Sequence, residues 1–469
     1  MKFRCHAEPM TDIGPMRFVT KNPATGRRLT SHRGHTRAEM ERAVARASAS
    51  QAKWRQLPVS ARAKYLRAVG RLLRSRRDDL AALVTAEMGK PIAQARGEAE
   101  KSALLCDYYA THGPAFLADE RPPAAPRPAR VVYAPLGVLL AIMPWNFPVW
   151  QVIRAAVPAL LAGNTVLLKH APIVPGCALA LERLFRDAGL PAGVFQTLLI
   201  DTAPVAALVA DPRVAAVTLT GSVAAGKKVA ALAGAAMKPG VFELGGSDPA
   251  IILEDADIAE AAEICAQSRL LNSGQSCVCA KRFIVVRSVL AKFEEAFTHR
   301  IAARRVGDPT SAATDVGPLA RADLRATVQR QVEQSVAGGA RLLLGGSPLP
   351  GRGFFFAPTV LADVRPGMPA FDEEIFGPVA SIIAVRDATA AVRVANASRY
   401  GLAASIFTRD QKRADRLALE LEAGAVFINE LVRSSPELPF GGIKESGYGR
   451  ELGAWGARSF VNVKTIWVG

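Results

Sequence analysis

The sequence lacks several features that mark other classes of protein. It has only six cysteines in 469 residues and no apolar signal core at its N-terminus. We therefore expect a chain without a disulfide scaffold, located in the reducing cytoplasm. Despite a formal net charge of +17, no basic run is longer than three residues, and aromatic residues do not alternate with the charges. We predict no nucleic-acid partner and attribute the charge to a solvated surface.

One uncharged stretch, residues 131–153, is long enough to span a bilayer. Its prolines and its glycine would interrupt a spanning helix and leave backbone groups without hydrogen bonds in lipid. We predict a buried strand, a loop and the start of a helix there, and no membrane association. Residues 1–15 show no periodicity, and the Pro- and Arg-rich residues 121–130 are predicted to form an extended crossing.

The order of apolar runs predicts an α/β fold. From residue 138 to 244, short apolar runs alternate with helical segments, which is typical of a parallel sheet covered by helices on both faces. A second alternating series predicts a second α/β domain. Ligands of such sheets bind beyond the carboxyl ends of the strands, so the residues after each run are candidates for the site. The predicted strands are 138–142, 165–169, 196–199, 216–220, 241–244, 250–253, 283–286, 380–384, 405–408 and 425–428; the predicted helices are 151–161, 175–187, 203–210 and 224–233.

A glycine-rich segment follows the run 216–220. Gly221 and Gly226 are followed by Lys227 and Lys228, which nearly matches the phosphate loop of nucleotide triphosphatases, although Lys228 replaces the hydroxyl residue that binds magnesium. A glycine turn at a helix N-terminus also suits a pyrophosphate, because free N–H groups point at it. A tight turn without a ligand has the same pattern. A nucleotide triphosphatase therefore remains an alternative.

The segment that contains Cys277 and Cys279 places a thiol after a glycine turn and before the run 283–286. No second cysteine pair or histidine cluster completes a metal site, so we predict no metal. A nucleophilic cysteine needs an activating environment, and spacing alone does not show one. Cysteine is more often a small buried apolar residue, which is our interpretation of Cys5, Cys106, Cys177 and Cys265.

Seven further motifs are spread along the chain: 144–148 (PWNFP), 163–165 (GNT) with Lys169, 220–222 (TGS), 243–246 (ELGG), 274–277 (GQSC), 374–378 (EIFGP) and 439–442 (PFGG). In this order they resemble the aldehyde dehydrogenase superfamily, from about Asn22 to the C-terminus. The resemblance implies a Rossmann-type cofactor domain, an α/β catalytic domain and a small oligomerisation hairpin. It also implies a small aldehyde as substrate and NAD or NADP as cofactor.

The resemblance further implies the roles of the site residues. Cys277 attacks the aldehyde as a thiolate, Asn146 and the backbone N–H of Cys277 stabilise the oxyanion, and Glu243 activates the water that hydrolyses the thioester. The cofactor-binding residues are then Trp145, Asn146, Lys169, His170, Ala171, Pro172, Gly221, Ser222, Leu244, Glu374 and Phe376.

The cofactor preference depends on one departure from the family pattern. Many NAD-preferring relatives have a glutamate three residues after the lysine, where this chain has Pro172. Nothing there repels the 2′-phosphate of NADP, and His170 is the nearby group that could attract it. We predict NAD or NADP, with a slight preference for NAD.

Within the superfamily the chain resembles bacterial succinate-semialdehyde dehydrogenases. Arg154 and Ser434 match residues that bind the substrate carboxylate in that group, and arginine suits a carboxylate because it donates two parallel hydrogen bonds. Cys279 matches a thiol that locks the nucleophile as a disulfide. The chain departs at Leu271, where the group has a second arginine, and Arg433 is a candidate substitute.

We therefore predict oxidation of succinate semialdehyde to succinate, with glutarate semialdehyde or another small aliphatic aldehyde as the alternative substrate. A catalytically silent nucleotide-binding relative is the alternative outside enzyme chemistry. The resemblance implies a homodimer or homotetramer. It also implies a cofactor domain of residues 1–120 and 135–244 with about 445–458, a catalytic domain of residues 245–444, and an oligomerisation segment of residues 121–134 and 459–469.

Overall fold

The computed structural model describes residues 16–123, 125 and 127–469. Residues 1–15, in which we predicted no regular element, lie outside the described residues, as do positions 124 and 126 of the predicted crossing. The strands are β1 (Arg17–Lys21), β2 (Arg28–Arg33), β3 (Ala129–Pro135), β4 (Val138–Met143), β5 (Thr165–His170), β6 (Phe195–Thr197), β7 (Val214–Thr220), β8 (Gly240–Glu243), β9 (Pro249–Ile252), β10 (Arg282–Val286), β11 (Arg341–Leu344), β12 (Thr359–Ala362), β13 (Val379–Val385), β14 (Tyr400–Gly401), β15 (Ala404–Phe407), β16 (Val426–Ile428), β17 (Ile443–Lys444), β18 (Gly447–Tyr448) and β19 (Val461–Trp467).

Helices cover both sheets and connect most of their strands. They are α1 (Arg37–Trp54), α2 (Val59–Ser75), α3 (Arg77–Met88), α4 (Ile92–Phe116), α5 (Trp150–Ala162), α6 (Pro175–Asp187), α7 (Val205–Ala210), α8 (Val223–Ala235), α9 (Ile258–Leu270), α10 (Leu290–Ala302), α11 (Ala322–Ala337), α12 (Pro369–Asp372), α13 (Ala388–Asn396), α14 (Gln411–Glu420) and α15 (Gly453–Arg458). Among the described residues, none of these helices is both long and apolar enough to cross a bilayer.

The first sheet has the strand order β18–β8–β7–β4–β5–β6 and is parallel except for β18. Every residue of β5 is buried, as expected where helices cover both faces of a parallel sheet. The chain runs outward from β4 to β6 and then returns to the other side of β4 to form β7. Ligands bind in the crevice at such a reversal. Asn146 follows β4 there, and Ser222 follows β7.

The second sheet has the order β11–β12–β13–β10–β9–β15–β16, with β11 as an antiparallel edge strand. β10 and β13 are parallel neighbours, with Arg282 opposite Ser381. The segments that precede them, residues 271–281 and 373–378, therefore enter the sheet side by side at its amino end. For this sheet the general rule was misleading, because two of the predicted site segments come before the strands rather than after them.

The alternation predicted from the sequence is present, and the α/β fold class is confirmed. The predicted helix 175–187 coincides with α6, whereas the predicted run 196–199 is shifted to β6. The edge strand β11 and its neighbour β12 were not predicted. β3 pairs with β19 in a separate antiparallel ribbon, which joins the two segments that we predicted as an oligomerisation hairpin.

Candidate active site

The loop that carries Cys277 has an unusual backbone. Asn272, Ser273 and Gly274 all lie in the left-handed region, with φ of 52°, 56° and 76°. A Cβ on Gly274 would lie 2.2 Å from the carbonyl oxygen of Gly377, so only glycine fits there. Non-glycine residues in this region cost about 1–3 kcal/mol each and persist where the surroundings enforce them. The surrounding segments therefore impose the backbone conformation of this loop.

Hydrogen bonds of amide side chains connect this loop to neighbouring segments. Asn272 Nδ2 donates to the carbonyl oxygens of Asn146 (2.8 Å) and Gln275 (3.1 Å), while its backbone N–H donates to Gln94 Oε1 at 2.7 Å. Gln275 Oε1 accepts the N–H of Ala320 at 2.9 Å. These bonds tie the cysteine loop to the loop after β4 and to α4.

Two buried cationic side chains, Lys281 and Arg269, donate hydrogen bonds to the backbone of the loop. Lys281 Nζ donates to the carbonyl oxygens of Ser276 (3.0 Å) and Cys277 (2.8 Å) and lies 3.6 Å from a carboxylate oxygen of Glu374. Arg269 donates to the carbonyl oxygens of Gly274 and Gly377, the two residues whose backbones are in close contact. A cationic side chain is thus shared by the segments that enter β10 and β13.

Cys277 lines a cavity, and its thiol lies in a mixed electrostatic environment. Burial raises the pKa of this thiol to about 12, while the positive charges of Arg154 and Lys281 oppose that rise. Asn146 lies beside it, and its Nδ2 donates to the carbonyl oxygen of Gln275 at 3.1 Å. A primary amide has two N–H groups, so one N–H of Asn146 remains for an oxyanion.

Glu243 ends β8 and is buried, with 2% of its surface exposed. Neither carboxylate oxygen has a hydrogen-bond donor among the described residues. Burial raises the pKa of this carboxyl well above its usual range, the nearby carboxyl of Glu451 raises it further, and Arg154 lowers it. A Cβ on Gly441 would lie 2.6 Å from Glu243 Oε1, so a glycine is needed where that loop crosses the acid.

Arg154 projects from α5 and joins this group of acids. Its Nε lies 2.5 Å from Glu451 Oε2, and both side chains are buried. Its Nη2 is 3.4 Å from Thr220 Oγ1, and its guanidinium lies 4.8 Å from the ring centre of Phe440. The charge of the predicted carboxylate anchor is therefore already balanced by an acid inside the protein.

The substrate cavity, as we call it, has a volume of about 280 Å³. Cys277 and Arg154 are among its lining residues, and so is Leu271, which stands where the resemblance predicts an arginine. Lys101 of α4 and Ser434 also line it, and Lys101 Nζ donates to Ser434 Oγ at 2.8 Å. Most of its wall is apolar and is formed by Phe147, Trp150, Leu271, Val278, Val432 and Phe440.

The cofactor cleft opens on the other side of the cysteine loop. It is lined by Ser222 and the start of α8 on one side and by Glu374 and Tyr400 on the other. Ser222 Oγ caps α8 by accepting the N–H of Ala225 at 3.3 Å. Glu374 Oε1 accepts the N–H of Gly246 at 3.0 Å. The predicted pyrophosphate and ribose positions thus face one another across this cleft.

The remaining predicted cofactor residues lie around the cleft in different ways. The rings of Trp145 and Phe376 pack edge to face at 5.7 Å. Lys169 is buried at the end of β5, and Leu244 packs under α8, where a Cβ on Gly226 would lie 2.4 Å from it. Ala171 and Pro172 form the turn after β5.

His170 does not suit the attraction of a 2′-phosphate that its position suggested. Its Nε2 donates to the carbonyl oxygen of Pro148 at 2.9 Å, its Nδ1 accepts the N–H of Ala171 at 2.9 Å, and the side chain is buried. Burial lowers its pKa to about 4. A neutral ring that is bonded to the backbone on both sides cannot attract the 2′-phosphate of NADP.

The phosphate-loop alternative is not supported by the local structure. α8 begins at Val223, so the residues between Gly221 and Gly226 are mostly helical rather than an open loop. Lys227 Nζ pairs with Glu445 at 2.6 Å instead of reaching back over a phosphate. This segment is a capped helix N-terminus.

Four functional-site residues were not predicted from the sequence: Lys101, Arg269, Lys281 and Glu451. Each is a charged side chain in or next to a helix or strand, where an exposed position is the usual expectation. Only the packing shows that they point inward. A weak signal was available for Lys281, because it directly precedes the strand that follows the cysteine loop.

Comparisons with known proteins agree with this geometry. The model of the Aldehyde dehydrogenase family matches residues 12–466. A succinate semialdehyde dehydrogenase (NAD(P)+) of Escherichia coli strain K12 is 49% identical, covering 98% of this chain and 99% of the relative. A probable succinate-semialdehyde dehydrogenase (NADP(+)) of Synechocystis is 47% identical, covering 97% and 100%.

A crystal structure of succinic semialdehyde dehydrogenase from Streptococcus pyogenes in complex with NADP+ superimposes with a TM-score of 0.94. It is 38% identical, and the match covers 96% of this chain and 99% of that one. None of these matches supports a nucleotide triphosphatase. The chain belongs to the aldehyde dehydrogenase family, as its motifs predicted.

Proposed function

We propose that the protein oxidises succinate semialdehyde to succinate, with NAD or NADP as the hydride acceptor. The observation that carries this proposal is the substrate cavity, which is lined by Cys277, by the basic groups of Lys101 and Arg154 and by the hydroxyl of Ser434. The names of the relatives support the same substrate. Glutarate semialdehyde, which is longer by one carbon, and other small aliphatic aldehydes are the alternatives.

In this proposal Cys277 is the nucleophile. Its Sγ bonds to the carbonyl carbon, and the free N–H of Asn146 together with the backbone N–H of Cys277 stabilises the oxyanion. Loss of one such donor typically costs ~3–4 kcal/mol of transition-state stabilisation. The charges of Arg154 and Lys281 favour the thiolate over the thiol.

Glu243 is the general base of the second half of the reaction. A bound nicotinamide would supply the hydride acceptor, and Cys277 would then hold the oxidised acyl group as a thioester. Glu243 then takes a proton from the water that attacks the thioester, and the acid is released. Since burial raises the pKa of Glu243, its carboxylate is a stronger base than an exposed one.

The cofactor cleft fits a dinucleotide. The first-turn N–H groups of α8 and the helix dipole suit a pyrophosphate beside Gly221 and Ser222. A Cβ on Gly245 would lie 2.4 Å from Glu374 Oε2, so glycine lets the chain pass close to this acid. We propose that Glu374 accepts a hydrogen bond from one ribose hydroxyl and that Lys169, at the end of β5, binds the other ribose.

We propose that both NAD and NADP are accepted, because Pro172 leaves no acid to repel a 2′-phosphate. The names of the relatives mention NADP at least as often as NAD, which weakens our slight preference for NAD. Comparison of initial rates with the two cofactors tests this. Pro172→Glu is expected to raise the KM for NADP about tenfold or more, as an unpaired like charge would, and to leave the KM for NAD nearly unchanged.

The assembly, its division into domains and its location are proposals of the same kind. The cofactor, catalytic and oligomerisation segments keep the boundaries predicted from the sequence. The β3–β19 ribbon exposes Val463 and Trp467, which supports a homodimer or homotetramer formed through this ribbon. Light scattering on the purified protein measures the mass. We place the enzyme in the cytoplasm.

Cys279 is proposed as a redox partner of Cys277. Its Sγ lies 2.9 Å from the carbonyl oxygen of Ser276 and is buried, so the loop must rearrange before a disulfide forms. A bridge between residues so close in sequence is strained and easily reduced. Peroxide should inactivate the wild type reversibly and Cys279→Ala irreversibly. Equal inactivation and equal recovery by thiol would count against the switch.

The purified protein tests the proposed function directly. We expect reduced nicotinamide to form with succinate semialdehyde, with a kcat/KM well above that for butanal, the neutral aldehyde with the same number of carbons. Glutarate semialdehyde measures how strictly chain length is read. A preference for butanal would overturn the proposed substrate while leaving the dehydrogenase chemistry intact.

A further inference from the structure

Lys101 is the basic residue of the substrate cavity that the sequence did not single out. It lies on α4, its Nζ donates to Ser434 Oγ at 2.8 Å, and the same nitrogen sits 4.3 Å from the ring centre of Trp150. The residue is half-buried and lines the cavity that Cys277 also lines.

The other cations around the cavity each have an acidic partner. Lys90 pairs with Glu98 out of contact with solvent, and Arg154 pairs with Glu451 at 2.5 Å. The exposed Arg433 lies 3.4 Å from Glu430. In the part of the chain that the structure describes, no carboxylate lies within ion-pair distance of Lys101, whose Nζ donates to Ser434 Oγ instead.

The acid nearest along the helix to Lys101 does not compensate its charge. Glu98, one turn earlier on α4, pairs with Lys90 and also accepts the N–H groups of Val149 and Trp150 at 2.8 and 2.9 Å. It is fully engaged in fixing the start of α5. Among the described residues, Lys101 Nζ therefore contacts a hydroxyl and an aromatic face but no acid, and it brings an unpaired positive charge to the cavity.

We propose that Lys101, together with Ser434, is the residue that selects aldehydes carrying a terminal carboxylate; this rests on the proposed function. A carboxylate gains more binding free energy from an unpaired, partly desolvated cation than from a cation that already has an acidic partner. The cost of removing water from the unpaired cation has already been met in the free enzyme. Arg154 has Glu451 as its counter-ion, so its main electrostatic effect is on the catalytic acids. Lys101 and Arg154 thus divide substrate selection and chemistry between them.

The charge of Lys101 makes the proposal sensitive to pH. Burial lowers the pKa of Lys101 to about 8, and the charged groups that face it are Arg154, Glu98, Arg433 and the thiol of Cys277. The cation is present below that pH and is lost above it. Preference for the carboxylated aldehyde should therefore decline as the pH rises through about 8.

Lys101→Met tests the proposal, because it keeps the length of the side chain and removes the charge. We expect the KM for succinate semialdehyde to rise about 10- to 150-fold, as for the loss of a hydrogen bond to a charged group, with kcat changed much less. The kcat/KM for butanal should stay the same or increase. Lys101→Arg should restore part of the preference, and Lys292→Met, which removes an exposed charge from α10, is the matched control.

The outcomes separate this proposal from the proposed function. A wild-type enzyme that does not prefer succinate semialdehyde over butanal overturns both. If the wild type shows the preference and Lys101→Met keeps it, the carboxylate is held elsewhere and only the role of Lys101 is lost. An equal fall on both substrates assigns Lys101 a structural role instead.

The wild-type enzyme gives a second test that does not depend on the folding of a variant. The ratio of kcat/KM for succinate semialdehyde to that for butanal cancels the titration of Cys277 and Glu243, which act on both substrates. We expect this ratio to fall above about pH 8. A ratio that stays constant as the pH rises well beyond that value would overturn the proposal.

Discussion

Two carboxyl groups, the buried Glu243 and the partly exposed Glu374, lie on opposite sides of the cysteine loop, and their surroundings differ. Glu374, on the cofactor side, accepts the N–H of Gly246 at 3.0 Å and lies 3.6 Å from Lys281 Nζ. Glu243 has no hydrogen-bond donor among the described residues and has Glu451 as a charged neighbour. Burial raises the pKa of both carboxyls and nearby cations oppose that rise in both, but among the described residues only Glu374 also accepts a backbone hydrogen bond.

The same residue type is thus prepared for two tasks. A carboxylate whose charge is solvated by protein groups stays ionised and accepts a hydrogen bond at a fixed position, which suits the binding of a ribose. A carboxylate without donors holds a proton more tightly and is a better base. Substitutions of Glu374 should therefore affect cofactor binding, whereas substitutions of Glu243 or of its charged neighbours should affect the hydrolysis step.

Glu243→Gln should have the largest effect of any substitution among these acids and their partners. The amide keeps the size of the side chain but cannot take a proton from water, so steady-state turnover is expected to fall about 10²- to 10⁴-fold. Attack by Cys277 and hydride loss come before this step. Rapid-mixing experiments should therefore still show one burst of reduced nicotinamide per active site. Absence of the burst would assign Glu243 to the first half of the reaction.

Arg154→Met should have the next largest effect, and it should appear on every aldehyde. Without this cation, the pKa of Glu243 rises further, so its basic form appears only at higher pH. We expect the acidic limb of the kcat profile to move to higher pH, and turnover at neutral pH to fall about tenfold for each pH unit that the limb moves. Glu451→Gln should move the limb the other way.

The double variant Arg154→Met/Glu451→Gln should recover part of the loss, because it removes both members of the ion pair. A fall in activity that is confined to succinate semialdehyde would instead return Arg154 to the role of carboxylate anchor. That result would also remove the division of labour between Arg154 and Lys101.

The sequence predicted the strands of both sheets well because they are covered on both faces. Such strands are continuous apolar runs, and β5 is buried at every position. The edge strand β11, with sequence RLLL, is partly exposed and lacks that contrast. The motifs identified Cys277, Glu243 and Asn146 because their spacing along the chain matches a family, not because their proximity could be derived.

Charge pairing is the part of the site that the sequence could not supply. Arg154 and Glu451 are far apart along the chain, yet their charges are in contact. Lys101 and Ser434 also meet from distant parts of the sequence. Which cation is neutralised depends on how α4, α5 and the C-terminal loops pack together, and no local pattern encodes it. The ion pair of Arg154 with Glu451 is therefore the reason why we propose that Arg154 acts on the catalytic acids, while its role as a carboxylate anchor stays a prediction.

Glu374→Gln should have the smallest effect and should act on the cofactor side alone. Glutamine keeps a carbonyl oxygen that can accept the N–H of Gly246, but it loses the charge that faces Lys281 and strengthens a bond from a ribose hydroxyl. We expect the KM for NAD or NADP to rise about tenfold, in line with a weakened charged hydrogen bond. The KM for the aldehyde and the acidic limb of the kcat profile should not move. Titration of the variant with NADP, followed by protein fluorescence, separates binding from turnover. If the acidic limb of the kcat profile moves instead, Glu374 also takes part in the base step, and the proposed difference between Glu374 and Glu243 is wrong.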